Sequence, residues 1–176
     1  LYKNRDIEEA ESFIKLLVKE LKLKKNSSLL DLACGKGRHS IYLNKLGFKV
    51  TGVDLSSRNI EYAKKFSNES LSFFKHDMRI ATNQKFDAIL NLFTSFGYFD
   101  HNYNIKVFQR ISESLSNNGL LVLDFLNILH VNKNIVKEEI KKVDNITFNI
   151  KRFIKNKVLY KKIDFTYHKN EYSFKE

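Results

Sequence analysis

Residues 29–40 read Leu29-Leu30-Asp31-Leu32-Ala33-Cys34-Gly35-Lys36-Gly37-Arg38-His39-Ser40, and this stretch decides the fold. A short apolar run meets two glycines, and a polar, helix-like pattern begins directly after them. That is the strand–turn–helix junction of a βαβ unit. Gly35 and Gly37 let the backbone bend sharply and approach a ligand closely, because no Cβ stands in the way. The N–H groups of the following helical turn then face whatever the turn holds.

The same alternation extends in both directions. Upstream, Ile7, Ala10, Ile14, Leu17 and Leu21 recur at helical spacing and predict an amphipathic helix over 6–24. Asp6 and Glu9 suit its first turn, near the positive end of the helix dipole. Downstream, the pattern predicts a helix over 39–46 stopped by Gly47, a strand over 49–54 and a helix over 57–66. Strands over 71–76 and 86–93 follow, then a helix over 102–115 with Ile105, Phe108, Ile111 and Leu115 on one face. Asn118-Gly119 reads as the turn into a strand over 119–125. Short apolar strands separated by helices imply an α/β, Rossmann-like, mostly parallel sheet with covered faces.

After Leu129 the texture changes. Ile146, Phe148 and Ile150 alternate with polar neighbours, as do Leu159, Lys161, Ile163, Phe165 and Tyr167. Period two predicts antiparallel strands over 139–176. The expected division is a ligand-binding domain over 1–130 and an antiparallel β appendage over 131–176. The appendage is expected to cover an acceptor site or to make a homodimer contact, since its strand edges call for pairing. The chain starts at Leu1 and stops at Glu176 inside a strand pattern, so it is expected to be a fragment of a longer protein.

Composition bounds the function. With 176 residues, 43% hydrophobic and 13% aromatic, the chain can build a real core. No window of 18 residues is wholly apolar, so no membrane-spanning helix is expected. A single cysteine, Cys34, excludes a disulfide framework and a multi-thiolate metal site. No leader-like opening is present, and a cytoplasmic enzyme or binding domain is the expectation. The net charge of +11 suggests an anionic partner, but 25 of the 31 cations are lysine, beside 18 asparagines and 15 isoleucines. That usage matches an AT-rich genome, so charge alone does not select nucleic acid as the partner.

The residues around the turn narrow the ligand. Seventeen residues past Gly37, the second strand ends in Gly52-Val53-Asp54-Leu55. A carboxylate at that place suits the hydroxyls of a ribose. Gly35-x-Gly37-x-x-Ser40 is a weak match to a dinucleotide fingerprint, and two cofactor types remain open on these facts. Asp31, four residues before Gly35, would do nothing for a pyrophosphate and would suit a cationic cofactor. Asp77 closes the third strand, where it could accept from an adenine amino group while Met78 packs on the ring. The fourth strand delivers Asn91, Leu92 and Phe93 to the same sheet edge.

Together, Asp31-Leu32-Ala33-Cys34-Gly35-Lys36-Gly37, Gly52-Val53-Asp54-Leu55-Ser56, His76-Asp77-Met78-Arg79, Phe86-Asp87-Ala88-Ile89 and Asn117-Asn118-Gly119-Leu120-Leu121-Val122 resemble the class I S-adenosylmethionine-dependent methyltransferases. The resemblance covers residues 28–127 and is strongest to bacterial small-molecule methyltransferase-domain proteins. It implies S-adenosylmethionine as cofactor, with Gly35 and nearby backbone around its methionine part, Asp54 on the ribose, and Asp77 with Met78 at the adenine. The full candidate set is Asp31, Ala33, Gly35, Gly37, Asp54, Leu55, Asp77, Met78, Asn91 and Phe93. Ala33 stands where many relatives have glycine. The family's sheet has seven strands, and the last two, a hairpin near the carboxyl terminus, are expected to be missing here.

Methyl transfer is an in-line displacement on a sulfonium, and holding donor and acceptor about 3–3.5 Å apart is most of the required catalysis. A general base is needed only where the acceptor holds its proton tightly, and no catalytic residue is assigned. The aromatic run Phe93 to Phe99 is the candidate acceptor wall, with Tyr98 the candidate contact. Cys34, inside the turn, is expected to pack rather than react. Position 91–94 reads Asn91-Leu92-Phe93-Thr94, unlike the proline motif of amino-group methylases of DNA. His39 and His76 read as capping or solvent-facing residues, Arg38 as a carboxylate partner or a surface residue, and no metal site is expected. The expected acceptor is a small molecule; the rivals are a nucleic-acid methyltransferase, a dinucleotide-dependent oxidoreductase and a non-catalytic cofactor-binding module. No membrane partner is expected.

Overall fold

In the computed structural model, residues 7–156 and 158–176 are described, without the Ile7 side chain; Asp6 lies outside them. They form two units, 7–125 and 126–176. In the first, α1 (Ile7–Leu21) precedes β1 (Ser28–Leu32), α2 (Arg38–Lys45), β2 (Lys49–Asp54) and α3 (Ser57–Ala63), which tightens into a 3₁₀ turn at Lys64–Phe66. Then come β3 (Leu71–Lys75), β4 (Phe86–Asn91), α4 (His101–Ser114) and β5 (Leu115–Leu123). The sheet is wholly parallel, in the order β3-β2-β1-β4-β5. This is the Rossmann-like arrangement expected, with its topological switch point between β1 and β4, where such sheets bind ligands at their carboxyl ends.

Strand alternation sends side chains to two cores. On one face Leu29, Val50, Leu71, Phe73, Ala88 and Leu90 pack with Ile14, Leu43, Ile60 and Ala63 from α1, α2 and α3. On the other, Leu30, Leu32, Val53, Phe86 and Ile89 pack with Val107 and Ile111 of α4. The helix face of α4 thus differs from expectation: Val107, Ile111 and Ser114 are buried, whereas Ile105 and Phe108 are largely exposed. Phe108 instead meets Phe96, with ring centroids 4.7 Å apart. Apolar spacing alone did not show that the stripe centred on Val107 is the one that meets the sheet.

Several boundaries also differ, three of them with a visible cause or consequence for the site. β4 ends at Asn91 rather than 93, because Phe93 (φ 56°) and Thr94 (φ 58°) turn left-handed. β5 begins at Leu115, directly after α4, and Asn118-Gly119 forms an irregularity within it rather than a turn before it, shifting the β4–β5 register between Phe86 and Ala88. α2 starts one residue earlier than expected, at Arg38.

The second unit opens with a helix the sequence reading missed, α5 (Ile128–Asn134), capped by the Asn127 side chain, which accepts from the His130 N–H. β6 (Glu138–Val143), β7 (Ile146–Lys155), β8 (Val158–Tyr167) and β9 (Asn170–Lys175) then form the expected antiparallel sheet in sequence order. Its register places Phe148 opposite Phe165 and Ile150 opposite Ile163. The β8–β9 hairpin turns through His168 (φ 47°) and Lys169 (φ 65°), the positive dihedrals that match strand twist in a two-residue turn. Among the described residues no helix is long and apolar enough to cross a membrane.

Candidate functional site

The candidate residues gather along the carboxyl edge of the parallel sheet. The Cys34 N–H donates to the Val53 carbonyl at 2.9 Å, extending the β1–β2 ladder before the chain turns. The Gly37 N–H closes the turn onto the Cys34 carbonyl at 3.0 Å, and the Ile41 N–H continues to Gly37 at 2.8 Å. Ala33 (φ 67°), Gly35 (φ 57°) and Gly37 (φ 82°) all turn left-handed, a conformation that strains alanine and suits glycine.

The two loop glycines have different reasons. A Cβ on Gly35 would meet nothing within 4 Å, so open space lies beside the backbone there. A Cβ on Gly37 would come within 2.7 Å of the Phe73 ring. Gly37 thus has a structural reason as well: its bare backbone makes room for a core aromatic, while the open space lies beside Gly35.

Asp54 holds the turn from the neighbouring strand. Its Oδ2 accepts from the Gly35 N–H at 2.9 Å and its Oδ1 from the Ser56 N–H at 2.8 Å. Leu55, beside it, is an apolar side chain left 57% exposed at the rim. Asp31 lies beneath, 2% exposed, and its Oδ2 accepts from Ser40 Oγ at 2.5 Å. Burial pushes its carboxyl up to about 6, opposed by the bonds from Ser40 and reinforced by the charge of Asp54. Cys34 is buried, and burial together with Asp31 and Asp54 drives its thiol far above the ordinary range, so it is an inert packing group, as expected.

Asn91, at the end of β4, is fully buried. Its Nδ2 donates to the Leu32 carbonyl at 2.8 Å, and its Oδ1 has no hydrogen-bond partner among the described residues. Phe93 stacks on His39 at 4.8 Å, and the Arg38 guanidinium lies 4.4 Å from its ring centre. Arg38 also donates to Glu9 Oε2 of α1 at 3.1 Å. Asp124 accepts from the Phe93 N–H at 2.8 Å and so clamps the left-handed turn from the end of β5. Tyr98 is 65% exposed on the loop that follows.

Asp77 and Met78 sit at the end of β3, joined to the site where the His76 N–H donates to the Asp54 carbonyl at 3.0 Å. Met78 is half-buried against the α4-side core. The Asp77 carboxylate is gripped by Arg79, with Nη2 to Oδ2 at 2.6 Å and Nε to Oδ1 at 3.0 Å. Those bonds, chiefly, hold its carboxyl below the usual carboxylate range. Sequence reasoning missed Arg79, and likewise Ser40 and Asp124. The spacing of Asp77 and Arg79 was a readable signal for the first, whereas the partners of Asp31 and Phe93 are set by tertiary packing.

Comparison with known proteins agrees with this architecture. Residues 29–119 match the family described as methyltransferase domain. YqeM of Bacillus subtilis (strain 168), named as a candidate methyltransferase, is 36% identical over 110 residues, 60% of this chain and 44% of its own length. The chain spans about half the length of the curated relatives it matches. An S-adenosylmethionine-dependent methyltransferase from Clostridium acetobutylicum superposes with a TM-score of 0.74 at 24% identity, over 97% of this chain and 72% of that one. The sugar N-methyltransferase KedS8 from a Streptoalloteichus species gives a TM-score of 0.71 at 18% identity, over 99% and 72% of the respective chains. These two likenesses are of fold. With the family match running from β1 into β5 and through the turn that the site is built on, the chain belongs to the methyltransferase-domain family, in its class I, Rossmann-like form.

Proposed function

We propose that this chain is the cofactor-binding part of an S-adenosylmethionine-dependent methyltransferase whose acceptor is a small molecule. The observation that supports this most is the pairing at the switch point: Gly35 leaves open space beside its backbone, and Asp54 grips its N–H. A nucleoside-bearing ligand needs both, a backbone it can approach and a carboxylate for its hydroxyls. The exposed Leu55 offers an apolar surface for a base, and each Asp54 oxygen keeps a lone pair beyond its bond to the chain. The residues present therefore fit the cofactor.

When bound, S-adenosylmethionine supplies a methyl group on a cationic sulfur, which leaves as a neutral thioether. The chain's own part is to bind, orient and exclude water. Asp54 takes the ribose hydroxyls and Gly35 with Ala33 and Gly37 frames the methionine part. Asp31 provides negative charge under the turn, favouring a ligand that carries cations. Asp77 and Met78 take the adenine, and Asn91 and Phe93 close the β4 side. Tyr98, exposed on the loop after β4, contacts the acceptor. The unit over 7–125 takes the cofactor, and the unit over 126–176 serves acceptor recognition or self-association.

One feature favours a second reading, a nucleic-acid acceptor. On β7, β8 and β9, Lys151 stands opposite Lys162 and Lys162 opposite Lys175, a cross-strand row of like charge. It lies beside the stacked Phe153–Tyr160 pair, 5.3 Å between centroids. Two of these lysines, however, already pair with Glu138 and Asp164, at 3.2 and 3.0 Å.

Ultraviolet cross-linking of methyl-labelled S-adenosylmethionine tests the primary reading. Label on peptides containing residues 29–37 or 54–55, competed away by S-adenosylhomocysteine, is the expected result. Label that S-adenosylhomocysteine does not displace contradicts it. RNA affinity that falls steeply with salt would favour the second reading.

A further inference from the structure

The loop after β3 is tied to the start of α4 by one side chain. The Arg79 N–H and Nε both donate to Asp77 Oδ1, at 2.9 and 3.0 Å, and Nη2 donates to Oδ2 at 2.6 Å with Nε sharing it at 3.1 Å. On its flat side, the guanidinium carbon lies 4.5 Å from the Phe99 ring centre and 5.0 Å from that of Tyr103. Both ends of this bridge are themselves fixed. His76 Nε2 meets the Ile80 carbonyl at 2.9 Å, and the Ile80 N–H donates to the Asp77 carbonyl at 2.9 Å. Asp100 caps α4 through the Tyr103 N–H at 3.0 Å, and Asn104 Nδ2 donates to the Phe99 carbonyl at 2.9 Å.

Stability alone is a poor reason for such an arrangement. A partly exposed ion pair two residues apart in sequence adds little to folding. Its geometric effect is larger. Oδ1 accepts two N–H groups and Oδ2 accepts Nη2 with a share of Nε, so of about four lone-pair sites the carboxylate keeps one open, on Oδ2. A carboxylate fixed with one open acceptor position rewards a ligand amino group and repels a carbonyl oxygen in its place.

We propose that Arg79 is a positioning residue of the cofactor site: it orients the Asp77 carboxylate as a single acceptor for an amino group and, through Phe99 and Tyr103, joins it to the end of the aromatic acceptor loop and the first turn of α4. This rests on the cofactor reading above. It assigns Arg79 no contact with the ligand. Lysine cannot substitute, because it lacks both the fork and the planar face that the two rings cover.

The test compares two ligands by calorimetry, S-adenosylhomocysteine and its deaminated analogue S-inosylhomocysteine, which carries a carbonyl where the first has an amino group. The wild-type chain, Arg79→Ala and Arg79→Lys are titrated with each, and circular dichroism checks that each is folded. The expected result is strong preference of the wild type for the amino ligand. Both variants then bind it about tenfold more weakly, with the preference reduced by a similar factor. Arg79→Lys keeps the charge and so stays informative if Arg79→Ala fails to fold. Wild-type affinity and preference in the folded variants, or their full recovery in Arg79→Lys, overturns the proposal while leaving the cofactor reading intact. Failure of the wild type to bind either ligand overturns both.

Discussion

The carboxylate of Asp54, at the end of β2, accepts from the backbone N–H of Gly35, 2.9 Å away in the turn that follows β1. Two neighbouring strands thus share one corner, and the carboxylate both shapes the turn and stands beside its open side. Asp54→Ala removes both roles. Binding of S-adenosylhomocysteine is expected to weaken more than about tenfold, since a buried contact to two hydroxyls is worth about 1.5–3 kcal/mol. Unchanged affinity in a calorimetric titration would remove Asp54 from the site.

Gly35 and Gly37 separate binding from stability. Gly37→Ala drives a Cβ against Phe73 at 2.7 Å in a left-handed residue, and is expected to cost about 2–5 kcal/mol in urea unfolding. Gly35→Ala meets no neighbour within 4 Å, so it should cost only about 1–2 kcal/mol of backbone strain. Its methyl group nevertheless enters the open space, and ligand affinity should fall much further than in a stability-matched control. Equal effects of the two variants on both quantities would contradict this division.

These two glycines also mark how far the sequence was legible. Strands β1 to β4 could be read because each is a short apolar run between turn signals, and the junction at residues 33–37 announced itself through glycine. The appendage was visible from period-two alternation. What escaped was set by contacts distant in sequence. Phe73, 36 residues past Gly37, explains that glycine, and no local pattern announces it. The buried stripe of α4 depends on which of two apolar faces meets the sheet, and α5 is too short and too little buried to leave a periodic signal. In the site, Asp54 and Asp77 stood out as carboxylates at strand ends, whereas the hold of Arg79 on Asp77 was signalled only by their spacing of two residues and went unread.

Asp31 makes stability depend on pH. Its folded-state carboxyl, near 6, lies above the ordinary value of 3.8, so folding favours the protonated form. The associated stability is fully present below about pH 4 and is lost as pH rises through about 6, a total of about 2–3 kcal/mol. Asp31→Asn should erase that slope and raise the melting temperature at pH 7.5. The same substitution removes the charge favouring a cationic ligand, so binding of S-adenosylmethionine, with its sulfonium and ammonium, should weaken. A wild-type melting curve that rises from pH 5 to 7 in parallel with that of Asp31→Asn would contradict the assignment.

Among the described residues, both core clusters of the parallel-sheet unit draw on side chains between Phe13 and Val122. Removal of residues 126–176 is therefore expected to leave a folded unit whose affinity for S-adenosylhomocysteine stays within about threefold of the whole chain. Circular dichroism and calorimetry read this directly. Loss of cooperative unfolding in the shortened chain would show that the second unit belongs to the same folding core.

The most direct test of the central claim is calorimetric titration of the wild-type chain with S-adenosylhomocysteine, with NADH titrated in parallel. Micromolar binding of the first and none of the second is the predicted result. Binding of NADH, or of neither ligand, would contradict the assignment of the Gly35–Asp54 corner to S-adenosylmethionine.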